Sequence, residues 1–160
     1  SSDVCSSDLR SIYSSSHRQH LLNFLNTCDP KIDIALLCET WLSEVVSDSE
    51  LLTTLQGWSI VARCERPSNQ RASNVGGGTA ILVRNRQSGE KSLKVGISES
   101  LYLSHDVQVS HCTLETTDFY SVYVRSGAPS SEHDCLINFL KTKGARRLIV
   151  AGDLNLPNID

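Results

Sequence analysis

The chain has 160 residues, 39% of them apolar and 21% charged, and carries a net charge of −3 at pH 7. Those figures fit one globular domain or part of one. They exclude a protein that grips nucleic acid through overall basic charge.

No apolar stretch approaches the ~20 residues of a membrane span, and the polar N-terminus has no signal-peptide core. The six cysteines stand at 5, 28, 38, 64, 112 and 135 without Cys-x-x-Cys spacing. Neither a zinc site nor a dithiol motif has support. Cys38 and Cys112 lie in apolar runs and read as small core residues of a protein kept in a reducing compartment.

In chain order, residues 1–9 repeat Ser-Ser-Asp and are set apart as a suspect segment of low complexity, leaving 10–160 as a partial domain. Residues 17–27 carry Leu21, Leu22 and Leu25 at helical spacing, and Cys28-Asp29-Pro30 closes that helix. Residues 32–38 form a nearly continuous apolar run, as a buried strand does. A short helix is expected over 47–55, capped by Ser47 or Ser49. Strands are expected over 58–63, 78–84, 93–97, 102–113 and 119–124, with a polar loop over 65–75. Ser130 or Ser131 is expected to cap a helix running to about Lys143, which Gly144 ends. Residues 148–151 form the last strand. The pattern is a layered α/β fold without solenoid repeats.

The last strand runs into Gly152-Asp153-Leu154-Asn155. Alternation puts Asp153 and Asn155 on one face, where a carboxylate and a carboxamide can hold a metal ion and an oxyanion. An ordinary turn explains the same residue types. Ala35, Leu37 and Glu39 share a face by the same rule. An ionised carboxylate cannot stay buried unpaired, so Glu39 either leaves the core or meets a hard cation. Tyr123 offers a hydroxyl at a strand end, or a ring packed on a sheet.

Arg63, Arg66, Arg71, Arg84 and Arg86 are opposed locally only by Glu65. Such a stretch can contact phosphates or simply face water. Gly76-Gly77-Gly78 lacks a following Gly-Lys-Ser/Thr and is not a P-loop; a bulged strand entry fits it better. His105, His111 and His133 lie near no nucleophile and read as surface or packed histidines.

Four blocks, Ala35 to Leu42, Gly76 to Arg84, Tyr120 to Tyr123 and Gly152 to Asn155, together resemble the endonuclease/exonuclease/phosphatase superfamily. Glu39-Thr40-Trp41-Leu42 and the triple glycine with its Ala80-Ile81-Leu82-Val83 are most similar to the apurinic-type endonuclease domain of non-LTR retrotransposons. The match runs from about Asp8 onward.

The resemblance implies a four-layered α/β sandwich, two packed mixed sheets flanked by helices, represented by its N-terminal half to two-thirds. It implies a phosphodiesterase dependent on Mg²⁺, with Mn²⁺ as a substitute, that nicks target DNA for retrotransposition. Glu39 would ligate the metal, with Asp8 standing where the family has an asparagine. Asp153 would orient or deprotonate the attacking water, Asn155 would help hold it and the phosphate, and Tyr123 would contact the scissile phosphate. Arg10, Arg63, Arg66, Arg71 and Arg84 would touch the DNA backbone. The resemblance further implies nuclear work and a reverse transcriptase domain in the full-length chain.

Two departures shape the expectations. The family's apolar strand ahead of Asp8-Leu9-Arg10-Ser11-Ile12 is expected to be missing. The family's downstream half, with its Ser-Asp-His, is not in these residues. One sheet's inner face is therefore expected to lie bare, and nicking is expected near background. A phosphatase or sphingomyelinase-like phosphoesterase shares the fold, and an inactive translated relic of a retroelement is the non-enzymatic reading.

Overall fold

The computed structural model describes residues 4–8 (backbone), 11–65, 76–144 and 146–156. Its framework is set by strands that are apolar on both faces. β1 (Val4–Asp8) and β2 (Ile34–Cys38) run parallel, and β2 pairs antiparallel with β4 (Thr79–Arg84). Beyond β4 lies β3 (Trp58–Cys64), giving the order β1-β2-β4-β3. The second sheet has the order β5-β6-β7-β8, built from β5 (Val95–Tyr102), β6 (Val107–Leu114), β7 (Thr117–Val124) and β8 (Arg147–Asp153). Only its last pair, β7 with β8, is parallel.

Three apolar layers hold four layers of structure together. Ala35, Leu37, Ala80 and Leu82 point outward from the first sheet against α1 (Ser15–Thr27) and α2 (Asp48–Thr54). Ile34, Leu36, Ile81 and Val83 point inward and meet Cys112, Leu114 and Phe119 of the second sheet. The outer side of that sheet buries Val107, Val109, Tyr120 and Val122 under α3 (Ser130–Lys141). Residues buried on both sides explain why β2 and β4 read as unbroken apolar runs. The four-layered sandwich is as expected.

Several local expectations are corrected. A strand does precede Asp8: β1 is polar in sequence but pairs by backbone along the open side of β2, a bond pattern that needs no apolar signal. The expected single strand over 102–113 is split. Leu103 N–H donates to Val107 O, and Ser104 Oγ accepts from the N–H groups of Asp106 and Val107, a hydroxyl turn that ends one strand and starts the next. Pro129, with no side-chain cap, occupies the N-cap of α3 in place of a serine. The inner sheet face is not bare, since the two inner faces cover each other. Exposed apolar side chains include Leu148 and Val150 on β8 and Val95 and Ile97 on β5.

Toward one end of the sandwich the inter-sheet layer turns polar. Ser121 Oγ donates to Leu37 O at 2.6 Å, and the Thr79 and Ser110 hydroxyls lie 2.8 Å apart. Gln108 Oε1 accepts the Gly78 N–H at 2.5 Å. On one flank, the hydroxyls of Ser98, Ser100 and Tyr102 on β5 donate to the carbonyls of Val61, Arg63 and Glu65 at the open edge of the first sheet.

Candidate functional site

The polar end of the sandwich is where the C-termini of the parallel strands gather. Asp8 ends β1 in register with Cys38, so it sits one position short of Glu39. Its side chain lies outside the described residues, as do Arg10, Arg66 and Arg71.

Glu39 is not on the face its sequence position suggests. Ala35 and Leu37 face the helices, but Glu39 turns away with φ +53°. A left-handed residue breaks strand alternation. The turn is pinned from both sides: Thr40 and Trp41 N–H donate to Gly78 O and Gly77 O, and Ser11 N–H donates to Glu39 O. The redirected carboxylate accepts a hydrogen bond from the hydroxyl of Tyr123, on the inner face of β7.

Tyr123 is buried, and it stands in register beside Asp153 on β8. Burial pushes its hydroxyl pKa up to about 12, and the negative charges of Glu39 and Asp153 push in the same direction. Two carboxylates from different sheets thus bracket one phenol. Gly76 makes room for them. A Cβ there would run into the Glu39 carboxylate and approach the Tyr123 hydroxyl to 3.3 Å.

Asp153 and Asn155 do not share a strand face. β8 ends at Asp153, and Asn155 lies in a turn with φ +42°. Gly152, at φ +153°, passes so near the Val122 backbone that a Cβ would collide with it. Asn155 returns by folding back: its N–H donates to Asp153 Oδ1 at 3.1 Å, and its Nδ2 donates to Val124 O at 2.8 Å. Such an Asx turn needs only local bonds.

The other expected residues are held in pairings of their own. Arg63 donates to Val46 O and Ser43 O and pairs with Asp48 and Glu65, clamping the segment before α2 onto β3. Arg84 ends β4 at the opposite end of the sheet, where it pairs with Asp33 and Glu90. His105 pairs with Asp106, and His111 is buried between Glu99 and Asp118 midway along β6. Two contributors escaped the sequence: Gln108, through Gly78, and His133, whose Nε2 lies 2.8 Å from Leu154 O. Neither carries a motif, because each acts on backbone.

The donor set at the rim is oxygen. Among the described residues no three His, Cys, Asp or Glu side chains converge. A Gly76 cradle around the Glu39 carboxylate fits a hard cation that keeps most of its waters.

No protein-family model and no curated protein sequence matches the chain. Solved structures do. The endonuclease domain of TRAS1, a telomere-specific non-LTR retrotransposon, superposes with a TM-score of 0.58 at 17% identity, over 97% of this chain and 61% of that domain. A humanized D. rerio TDP2 carrying 14 mutations gives 0.53 at 16% identity, over 96% of this chain and 62% of that one. An endonuclease/exonuclease/phosphatase family protein from Leptotrichia buccalis gives 0.52 at 14% identity, over 99% and 68%. The chain thus spans about three fifths of the first two relatives, and likeness at this identity establishes a shared fold.

Proposed function

From a chain with the fold of the endonuclease/exonuclease/phosphatase superfamily, we propose that the rim bearing Glu39, Tyr123, Asp153 and Asn155 is the hydrolytic site of a DNA-nicking phosphodiesterase. The observation that carries this reading is the bracketing of the Tyr123 hydroxyl by Glu39 and Asp153. A phenol held protonated between two carboxylates is a donor suited to a phosphate oxygen.

In this reading Asp153 accepts a hydrogen bond from the attacking water and takes its proton. Asn155, anchored through Nδ2 on Val124 O, keeps its side-chain carbonyl for that water. With the Glu39 carboxylate taken up by a cation, the single Tyr123 O–H would be released from it to donate to a non-bridging oxygen of the scissile phosphate. Glu39, with Asp8, would hold a Mg²⁺ or Mn²⁺ ion, which supplies positive charge to the phosphoryl and leaving oxygens. Arg10, Arg66 and Arg71 remain the proposed backbone contacts. The choice of DNA over a small phosphoester is supported by the Glu39-Thr40-Trp41-Leu42 and Gly76-Gly77-Gly78 blocks. It carries with it a nuclear site of action and a reverse transcriptase domain elsewhere in a longer chain.

The test is single-turnover nicking of supercoiled plasmid in Mg²⁺, with protein in excess and these residues carried within the longer chain that this reading implies. EDTA-sensitive nicking that drops by roughly 10²–10⁴ in Asp153→Asn and disappears in Glu39→Ala is expected. Hydrolysis of small phosphoesters with intact plasmid would move the reading to a phosphatase. Identical traces for wild type and both variants on both substrates would leave no enzyme at this rim.

A further inference from the structure

The turn after β8 is held from outside by helix α3. His133 is buried, and its Nε2 contacts the Leu154 carbonyl oxygen. A carbonyl only accepts, so Nε2 carries a proton. The Leu154 C=O and the Asn155 N–H are the two ends of one planar peptide unit. That N–H donates to Asp153 Oδ1. A single bond from His133 therefore fixes the plane that aims a donor at the Asp153 carboxylate, and polarisation through the unit strengthens the second bond.

The turn needs such an anchor. Asn155 has φ +42°, a left-handed conformation that asparagine tolerates better than other residues with a Cβ but that still carries a cost. Its own Nδ2 supplies one restraint, on Val124 O, and His133 supplies another from a different element. The Nδ1 of His133 has no hydrogen-bond partner among the described residues, so the bond to Leu154 is the ring's polar engagement there.

We propose that His133 is the positioning residue of the Asp153–Asn155 turn, setting the orientation of the Asp153 carboxylate through the Leu154 peptide. Its functional meaning rests on the reading of Asp153 as the base.

Two measurements on ¹⁵N-labelled protein test the geometry without any activity. A long-range ¹H–¹⁵N spectrum of the wild type is expected to show a proton on His133 Nε2; a proton on Nδ1 alone overturns the role. Amide exchange is then compared in two variants. His133→Leu removes the donor and keeps an apolar helical side chain. His133→Gln returns an amide N–H near the position of Nε2. The Asn155 amide is expected to exchange about tenfold faster in H133L and at the wild-type rate in H133Q, with Val122 and Tyr123 protected in both. Equal Asn155 exchange in all three proteins overturns the role. If H133L loses protection throughout β7, the ring protonation and H133Q decide.

In single-turnover nicking at saturating DNA by the longer chain, H133L is expected to lose about tenfold to a hundredfold in rate, with half-saturation unchanged and H133Q restored. An unchanged H133L rate, where D153N slows nicking, also overturns it. Should D153N nick like wild type, the catalytic reading fails, and the exchange data still judge His133.

Discussion

Tyr123 and Glu39 belong to different sheets, yet the hydroxyl of one is hydrogen-bonded to the carboxylate of the other. The bond spans the mouth of the sandwich and ties the end of β7 to the turn after β2. A cation taken up by Glu39 would compete for that carboxylate. Glu39→Gln removes one of the charges that raise the Tyr123 pKa, and burial remains. The prediction is a tyrosine titration at 295 nm that moves from about 12 part of the way toward 10.0. An unmoved titration would mean the two side chains do not meet in solution.

Alkali should unfold the protein early. Burial raises Tyr120 and Tyr123 to about 12 from 10.0, Cys112 to about 12 and Cys64 to about 11 from 9.0. Each group holds its proton more tightly folded than unfolded. Their contribution is thus complete below pH 9 and is lost as pH rises through 11 to 12. Melting temperature followed from pH 8 to 12 is expected to fall steeply above pH 9 to 10. Tyr120→Phe should flatten part of that fall.

The glycine loop should tolerate no Cβ at two positions, for different reasons. Gly78 has φ +85° and faces Thr40 Oγ1, so Gly78→Ala combines backbone strain with a collision. A loss of about 2–4 kcal/mol is expected in urea unfolding. Gly76→Ala meets the Glu39 carboxylate. It is expected to weaken Mn²⁺ binding, read by electron paramagnetic resonance, more than it lowers stability.

Gln108 is buried between the sheets and accepts the Gly78 N–H. Gln108→Leu keeps the bulk and strands that donor, at a cost of about 1–3 kcal/mol. Urea denaturation of Gln108→Leu beside Gln108→Glu separates packing from acceptor loss, since glutamate can still accept.

Arg84 and Arg86 converge on Asp33, at 2.8 Å and 2.7 Å, at the end of the sheet away from Glu39. Arg84→Ala is expected to lower stability by about 1 kcal/mol and to leave DNA affinity and its salt dependence unchanged. A shallower salt slope in the variant would return Arg84 to the nucleic-acid surface.

The sequence exposed those parts of the molecule that announce themselves by apolar content. β2, β4 and β7 are buried on both faces, and their runs are legible for that reason. Glu39 and Asp153 stand out as charges at the ends of such runs. Their directions were not legible. Glu39 and Asn155 both adopt positive φ, and one left-handed residue cancels the alternation from which a face is inferred. β1 was hidden because its pairing is carried by backbone. The strand expected over 93–97 runs on to Tyr102 as β5, because Ser98, Ser100 and Tyr102 are the every-second residues that reach β3. His133 and Gln108 bond to main-chain atoms, which leave no trace in a list of side chains.

That row of three hydroxyls has a consequence for how the molecule meets other chains. An exposed sheet edge is a template for a further strand. On the β3–β5 flank the carbonyls of Val61, Arg63 and Glu65 are already occupied, so the template is blanked. On the opposite flank β1 and β8 lie against each other across the sandwich, and among the described residues neither has a strand on its outer side. Among the described residues the β1–β8 flank is therefore the more open of the two to a further strand, from more of a longer chain or from a second molecule.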